Sequence, residues 1–367
     1  MKSTKELFDE RLHRIKATVA LQKTDRVPIV PLGDAFCAKV AGVKLSEFCT
    51  IPELSNETMV KVLTNIGEID GVQHVNFNAH NLSLIWLSKL KIPGRDIGED
   101  QLWQVQEVEL MTVDDYDAII NDGYEKFLDD YYMNRLDNLN AKLQPVRESF
   151  PAAIQSFVEK GIVPLSPVIV TIPFEIFCGG RSLVTFLKDL YRRPDQVQAA
   201  MDAAMPFILE QARQLCRLGL IGAWVGGWRS ASEFMSPKLW QRFVLPYYKQ
   251  LIQVVVDEGV IPILHFDSNW TRDLEVLKEL PKAKCVLSLD GATDIFKAKE
   301  ILGDHMCIMG DVPPAMLTLG TPDEVHEYCT RLIREIGPTG FILAQGCDIP
   351  PNAKLENVKA MVASVHG

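Results

Sequence analysis

A chain of 367 residues, 47% hydrophobic and 23% charged, is long enough to bury a sizeable core and too apolar for disorder. Its formal net charge of −10, with no run of basic residues, argues against a nucleic-acid or anionic-membrane partner, since those surfaces recruit clustered Lys and Arg. No uncharged stretch approaches the roughly 20 apolar residues of a membrane span.

The N-terminal MKSTKELFDERLHRIKATVALQ is charged and helical in pattern and lacks the apolar core of an export signal, which predicts a helical extension on a cytoplasmic protein. The 8 cysteines are scattered without a CxxC pair, the usage of reduced and mostly buried thiols. Beyond the extension, a β-branched or apolar run, a polar or Gly-rich elbow and a helix-period segment recur in turn. The runs are VPIVPL (27–32), GVQHVNFN (71–78), IVPLSPVIVTI (162–172), LIGAWV (220–225), VIPILHF (260–266), KCVLSLD (284–290), MCIMGD (306–311) and GFILAQG (340–346). The helices between them have proper ends. Ser236 and Pro237 open one that Gly259 closes, with a kink expected at Pro246, and Thr321 and Pro322 open another that Gly337 closes.

Eight strands alternating with helices, with no GxGxxG turn after the first, predict an α/β fold of the (β/α)8 TIM-barrel type rather than a doubly wound sheet. The whole chain, 1–367, reads as one barrel domain. Residues 82–143 are too long for a simple crossover, so an insertion after the second strand is expected near the barrel mouth, with a short β excursion and added helices.

Such barrels build their sites where strands end and βα loops begin. Those positions here hold Asp34, His80, Glu175, Arg181, Arg229, Glu233, His265, Asp267, Asp290, Asp311 and Cys347. Each has a bland reading. Asp290 and Asp311 are suited to capping loops, Arg181 to a surface position or an anion clamp, and Arg229 and Glu233 to pairing with each other. Gly226 and Gly227 suggest close backbone approach beside that last pair. His74 lies within the second strand and reads as a core or barrel-interior residue, which leaves His80 as the site candidate there. Trp228, with Trp224, Trp240 and Trp270, suits packing or an aromatic wall for a flat substrate.

His265, Asp267 and Cys347 combine. In IPILHFDSNW the histidine and the aspartate are two apart and share a strand face, which admits a metal site, an acid/base pair or an ordinary polar strand end. Catalytic zinc sites commonly take three protein ligands from His, Cys and carboxylate and keep a fourth position open. An HxD on the fifth strand and a cysteine after the eighth could converge across the mouth to do this.

The segments HFDSNW, CVLSLDGATDIFKAKEILG, CIMGDVPPAMLTLGTPDEV and GFILAQGCDIPPNAKLENVKAM together resemble the uroporphyrinogen decarboxylase superfamily, and in particular its corrinoid-dependent methyltransferase branch. RVPIVPLGDAFCAKVAG and MSPKLWQRFVLPYYKQL extend the resemblance over nearly the whole chain. Decarboxylases of this group carry an Arg-rich RQAGR signature after the first strand; this chain has PLGDAFCAK there, without the charge to hold an octa-carboxylate. Thiol-directed methyltransferases of the branch bind zinc through HxC and a distant Cys. His265 and Cys347 occupy the matching positions, and Asp267 replaces the first cysteine.

The resemblance implies a methyltransferase that moves a methyl group from a small donor to the Co(I) of a corrinoid. Oxygen donates less electron density than sulfur, so the exchange of Cys for Asp267 favours a more Lewis-acidic zinc and a methyl ether, such as a methoxylated aromatic, as donor. Without metal, Asp267 or Glu233 is the candidate acid for the departing oxygen, with Asp290 as a further acid/base group. Arg229, His80, Glu175, Arg181, Asp311 and Trp228 are the candidate substrate contacts. The chain lacks the DxHxxG motif of corrinoid-binding domains, so a separate corrinoid protein is the expected partner. The alternatives are the reverse transfer from methylcorrinoid to a thiol, a decarboxylase, and a non-catalytic accessory that only binds the corrinoid protein.

Overall fold

The computed structural model describes residues 2–367. The strands in chain order are β1 Gly71–Val72, β2 Leu90–Lys91, β3 Gln104–Val105, β4 Val163–Pro164, β5 Ile169–Val170, β6 Gly222–Gly227, β7 Ile261–Phe266, β8 Val286–Leu289, β9 Cys307–Val312 and β10 Phe341–Gln345. β5 to β10 form a parallel sheet in sequence order, and β1 pairs in parallel with β4. Further backbone bonds close the ring. Val30 N–H donates to Leu343 O (3.0 Å), Leu343 N–H to Pro28 O (2.8 Å), Asp70 N–H to Ile29 O (3.0 Å), Val163 N–H to Asp70 O (3.0 Å) and Trp224 N–H to Val168 O (2.8 Å). Segment 28–31 is therefore the first stave, and β4 and β5 are one stave interrupted where Pro167 has no N–H to give. The result is a closed (β/α)8 barrel.

Alternation along the staves sorts their side chains. Val30, Leu32, Val163, Leu165, Trp224, Ile263, Val286, Cys307, Met309 and Ile342 fill the lumen. Val225, Leu264, Leu287, Ile308 and Leu343 face outward and join the core under the helices. Period two places His265 on the lumen face with Ile263.

The N-terminal helix Thr4–Val19 begins with a capping box between Ser3 and Glu6. Its Ile15 and Val19 pack with the lumen residues and close the bottom of the barrel. Arg14 and Arg26 both reach the fully buried Asp70 (2.5 and 2.7 Å), whose carboxylate also accepts from Ile29 N–H at 2.9 Å. Removing that carboxylate takes one partner from Arg14, which keeps Asp25 and Glu10, removes the ion-pair partner of Arg26, and leaves the Ile29 N–H without its acceptor. Asp70→Ala is expected to lower unfolding free energy by about 3 kcal/mol in urea titrations, whereas exposed ion pairs such as Lys249–Glu279 should contribute under about 1 kcal/mol.

The predicted second strand, 71–78, is short. Ordered pairing ends at Val72, because Gln73 turns inward to hold the first stave through Nε2–H to Val30 O (3.1 Å). The long helix expected from Ser236 is not merely kinked. It breaks at Val244 into Pro237–Phe243 and Leu245–Asp257, with Pro246 in the first turn of the second. Within 82–143, β2 and β3 form an antiparallel pair, followed by the helices Asp114–Asp122 and Tyr124–Asp130. This excursion is stapled to the two helices after β5, Pro173–Arg181 and Leu183–Arg192: Leu110 and Met111 N–H donate to Gly180 O (3.0 and 2.8 Å), and Glu107 accepts from Leu183 N–H.

Candidate metal centre and active site

β7 carries His265 to the mouth, fully buried, and Asp267 follows it just beyond the strand end. Asp267 is fixed through its backbone: its N–H donates to Gly227 O (3.0 Å), and its carbonyl accepts from Trp270 Nε1–H (2.6 Å). Cys347 follows β10 across the mouth. One ligand atom from each of His265, Asp267 and Cys347 lies within 4.8 Å of the others.

His265 Nδ1 is 3.3 Å from Ser288 Oγ on β8. Donating there leaves Nε2 with a free lone pair. Nε2 lies 2.9 Å from Asp267 Oδ1, yet the approach is not along a hydrogen-bond direction, and both atoms are buried without a hydrogen-bond partner. Two buried acceptors converging on one point are costly unless a cation sits between them. Burial, with Asp267 next in effect and Asp348 and Asp290 after it, pushes the Cys347 thiol well above its ordinary range. A divalent cation would reverse that by stabilising the thiolate. The donor set, one imidazole, one carboxylate and one thiol, fits zinc with an open position.

The other candidate residues largely hold this frame. Glu175 is fully buried on the helix after β5, and its carboxylate accepts from Trp228, Arg229 and Ser230 N–H at 2.8 to 3.0 Å. Burial still raises its pKa above the usual carboxylate value. Asp290 accepts from Ser268 and Ala292 N–H, both at 2.8 Å, and so shapes the loop behind Asp267. Glu233 is exposed on the rim and caps Asn269 N–H (2.9 Å).

Arg229 does not pair with Glu233. It forms a two-pronged pair with Glu107 of the insertion (2.8 and 3.1 Å), since the Glu175 clamp turns its side chain outward. Arg181 is neither a surface residue nor free to clamp an anion. It is 5% exposed and spent on Asp189 and Met111 O (2.9 and 2.7 Å). His80 opens a helix and lines a separate surface cavity of about 420 Å³ with Lys44, Thr50, Pro93 and Arg95. Burial, then Lys142 and Arg95, lower its pKa to about 4.

Asp311 accepts from Tyr328 O–H at 2.8 Å, and burial raises its pKa to about 6 against that bond, with Asp294 and Asp290 adding to the rise. The unfolded carboxyl titrates near 3.9, so between there and about 6 the folded state keeps a proton that the unfolded state loses. Stability from this group is therefore full below about pH 4 and falls as pH rises to 6, by up to about 3 kcal/mol. Asp311→Asn keeps an acceptor for Tyr328. Urea titrations at pH 4 and pH 7 should show the variant gaining stability relative to wild type by about that amount at the higher pH.

The four tryptophans separate into two groups. Trp240 and Trp270 pack together under the helices (6.0 Å). Trp224 and Trp228 stay at the mouth (6.4 Å), and Trp228 meets Trp86 of the insertion (4.9 Å). The Trp228 ring lies directly on Gly226, where a Cβ would meet it at 2.0 Å, which is the close approach expected from the glycine pair. Indole Nε1 atoms of Trp224 and Trp86 are buried without partners. The rings meet edge to face, at 88° for Trp224 with Trp228 and 70° for Trp86 with Trp228, so they form an apolar corner supplied with two free donors.

Sequence reasoning missed a second polar group. His74 Nδ1 lies 3.0 Å from Asp34 Oδ2, and Asp34 N–H donates to Asp348 Oδ1 (3.2 Å). The imidazole packs edge-on to Trp224 (4.7 Å), whose indole also touches His265 (4.4 Å). Asp34 stood among the strand-end positions and Asp348 directly follows Cys347, but nothing in the sequence joined either to His74.

The uroporphyrinogen decarboxylase (URO-D) family profile matches residues 132–367. The chain belongs to the uroporphyrinogen decarboxylase family. Relatives named uroporphyrinogen decarboxylase include one from Syntrophotalea carbinolica, 28% identical over 206 residues, covering 53% of this chain and 57% of that protein. Another, from Coxiella burnetii, is 27% identical over 209 residues, covering 53% and 55%. The chain spans about half the length of the curated relatives it matches. Among solved structures, a methyltransferase from Methanosarcina mazei shares the fold with a TM-score of 0.71 at 19% identity, over 97% of this chain and 98% of that one. In this URO-D family member no helix of the described residues is long and apolar enough to cross a membrane.

Proposed function

We propose that this URO-D family protein transfers a methyl group from an aryl methyl ether to the Co(I) of a corrinoid carried by a separate protein. The observation that carries the reading is the convergence of the unpartnered His265 Nε2 and Asp267 Oδ1 beside Cys347. These three residues would hold zinc, which when bound supplies a Lewis acid to the ether oxygen. Ser288 fixes the imidazole, Gly227 and Trp270 fix the aspartate backbone, and Asp290 fixes the loop behind it. The Trp224–Trp228–Trp86 wall suits an aromatic ring, and burial there excludes water from the methyl carbon. The likeness to the fold of a methyltransferase supports methyl transfer as the class of chemistry.

A decarboxylase of octa-carboxylate substrates is disfavoured by charge. Arg181 and Arg229 are committed to Asp189 and Glu107, and Lys39 is the one basic residue in the helix Asp34–Ala41. The test is to mix the protein with cob(I)alamin or a reduced corrinoid protein and a panel of methoxyarenes, methylamines and methyl thiols, following the cobalt spectrum. Methylcobalt with stoichiometric phenol release from methoxyarenes is expected. Methylation of a thiol by methylcorrinoid, with every ether inert, would overturn the proposal in favour of the reverse transfer. Silence toward all donors with tight corrinoid-protein binding would leave an accessory role.

A further inference from the structure

We infer that His74, held by Asp34, is the proton donor to the oxygen that leaves when the methyl group is transferred. This rests on the methyl-ether reading above. Asp34 has 6% and His74 11% of its side chain exposed, and they meet at 3.0 Å through Nδ1 and Oδ2. With Asp34 as acceptor, Nδ1 carries a hydrogen and donates it, which fixes the ring. The opposite nitrogen, Nε2, is buried and has no partner, and Asp34 Oδ1 is likewise unpartnered.

A buried imidazole with one nitrogen bound to a carboxylate and the other free has the geometry of a working acid or base. Its position supports that use. His74 and His265 both pack against the indole of Trp224, at 4.7 and 4.4 Å, so the dyad lies one side chain away from the proposed zinc ligands. Asp348, which accepts from Asp34 N–H, ties this dyad to the segment bearing Cys347.

The reaction balances with one proton. The methyl–oxygen bond breaks and its electron pair stays on oxygen, while the electron pair of Co(I) forms the new cobalt–carbon bond. The proton on His74 Nε2 passes to the oxygen, giving a neutral phenol. A proton taken up from solvent then restores the imidazolium, so each turnover consumes one proton.

The experiment uses the full zinc-loaded chain, cob(I)alamin as acceptor and a series of para-substituted anisoles spanning poor to good leaving groups. His74→Ala should lose about 1,000-fold on 4-methylanisole and under about 10-fold on 4-nitroanisole, with zinc content unchanged and partial rescue by added imidazole. Asp34→Asn, which keeps size and an acceptor, should show the same steepened dependence on leaving group and decides the matter if His74→Ala does not fold. Equal losses across the series in a folded, zinc-loaded variant would overturn the His74 role alone. A wild-type protein inert toward every ether would overturn both this role and the ether reading.

Discussion

His265→Ala is expected to purify with less than about one tenth of the zinc of the wild type and to lose methyl transfer by at least about 1,000-fold. The imidazole is fully buried, meets Ser288 through Nδ1 and has no partner at Nε2, so the substitution removes one ligand from the proposed zinc site. The cavity left beside Trp224 and Ser288 should cost about 2 to 4 kcal/mol, which a barrel of this size is expected to survive. Cys347→Ser should weaken zinc similarly, since a hydroxyl does not ionise as a thiol does beside a cation. Ser288→Ala leaves all three ligands in place and should reduce zinc affinity by about 10- to 100-fold through loss of ring orientation. Zinc analysis and circular dichroism on the same samples separate metal loss from unfolding. Full zinc retention in His265→Ala would place the metal elsewhere.

Glu175→Ala should be the most damaging substitution among the site-shaping residues. One carboxylate satisfies three successive backbone N–H groups at the end of β6, and its removal leaves all three buried without acceptors. The expected loss is about 4 kcal/mol, less than three separate penalties because the loop will relax toward water. Relaxation moves Trp228 off Gly226 and frees Arg229 from the orientation that meets Glu107. Urea titration should show the stability loss, and tryptophan fluorescence should shift red as the indole wall opens. Glu175→Gln retains an acceptor at the Oε1 position and should lose only about half as much. An unchanged midpoint in Glu175→Ala would mean that the loop is held from elsewhere.

Much of the barrel was legible because its signals are local. Apolar runs ending in polar residues, and helix caps such as Thr321 with Glu324, recur with a period that few folds share. β1 ran shorter than its apolar pattern because Gln73 contacts the first stave, a long-range bond without a sequence signature. The convergence of His265, Asp267 and Cys347 was legible because HxD keeps His265 and Asp267 on one strand face and Cys347 stands just past another strand. Glu175 and Arg181 were not, since a charged residue at a strand end looks the same whether it meets substrate or a backbone N–H. Asp189 and Glu107, the acidic partners of Arg181 and Arg229, lie on a following helix and on the insertion, where periodicity says nothing about contact. His74 was set aside as barrel interior, which is where it lies. The fold sets Asp34 against it and leaves its second nitrogen free, contacts between distant segments that carry no local signal.

X-ray absorption at the zinc edge of protein purified without chelator tests the centre most directly. The site predicts about one zinc per chain bound by one sulfur near 2.3 Å and nitrogen or oxygen neighbours near 2.0 to 2.2 Å. Asp267→Cys should raise the sulfur count to two. Two or more sulfurs in the wild type, or protein that moves methyl groups without any metal, would contradict it.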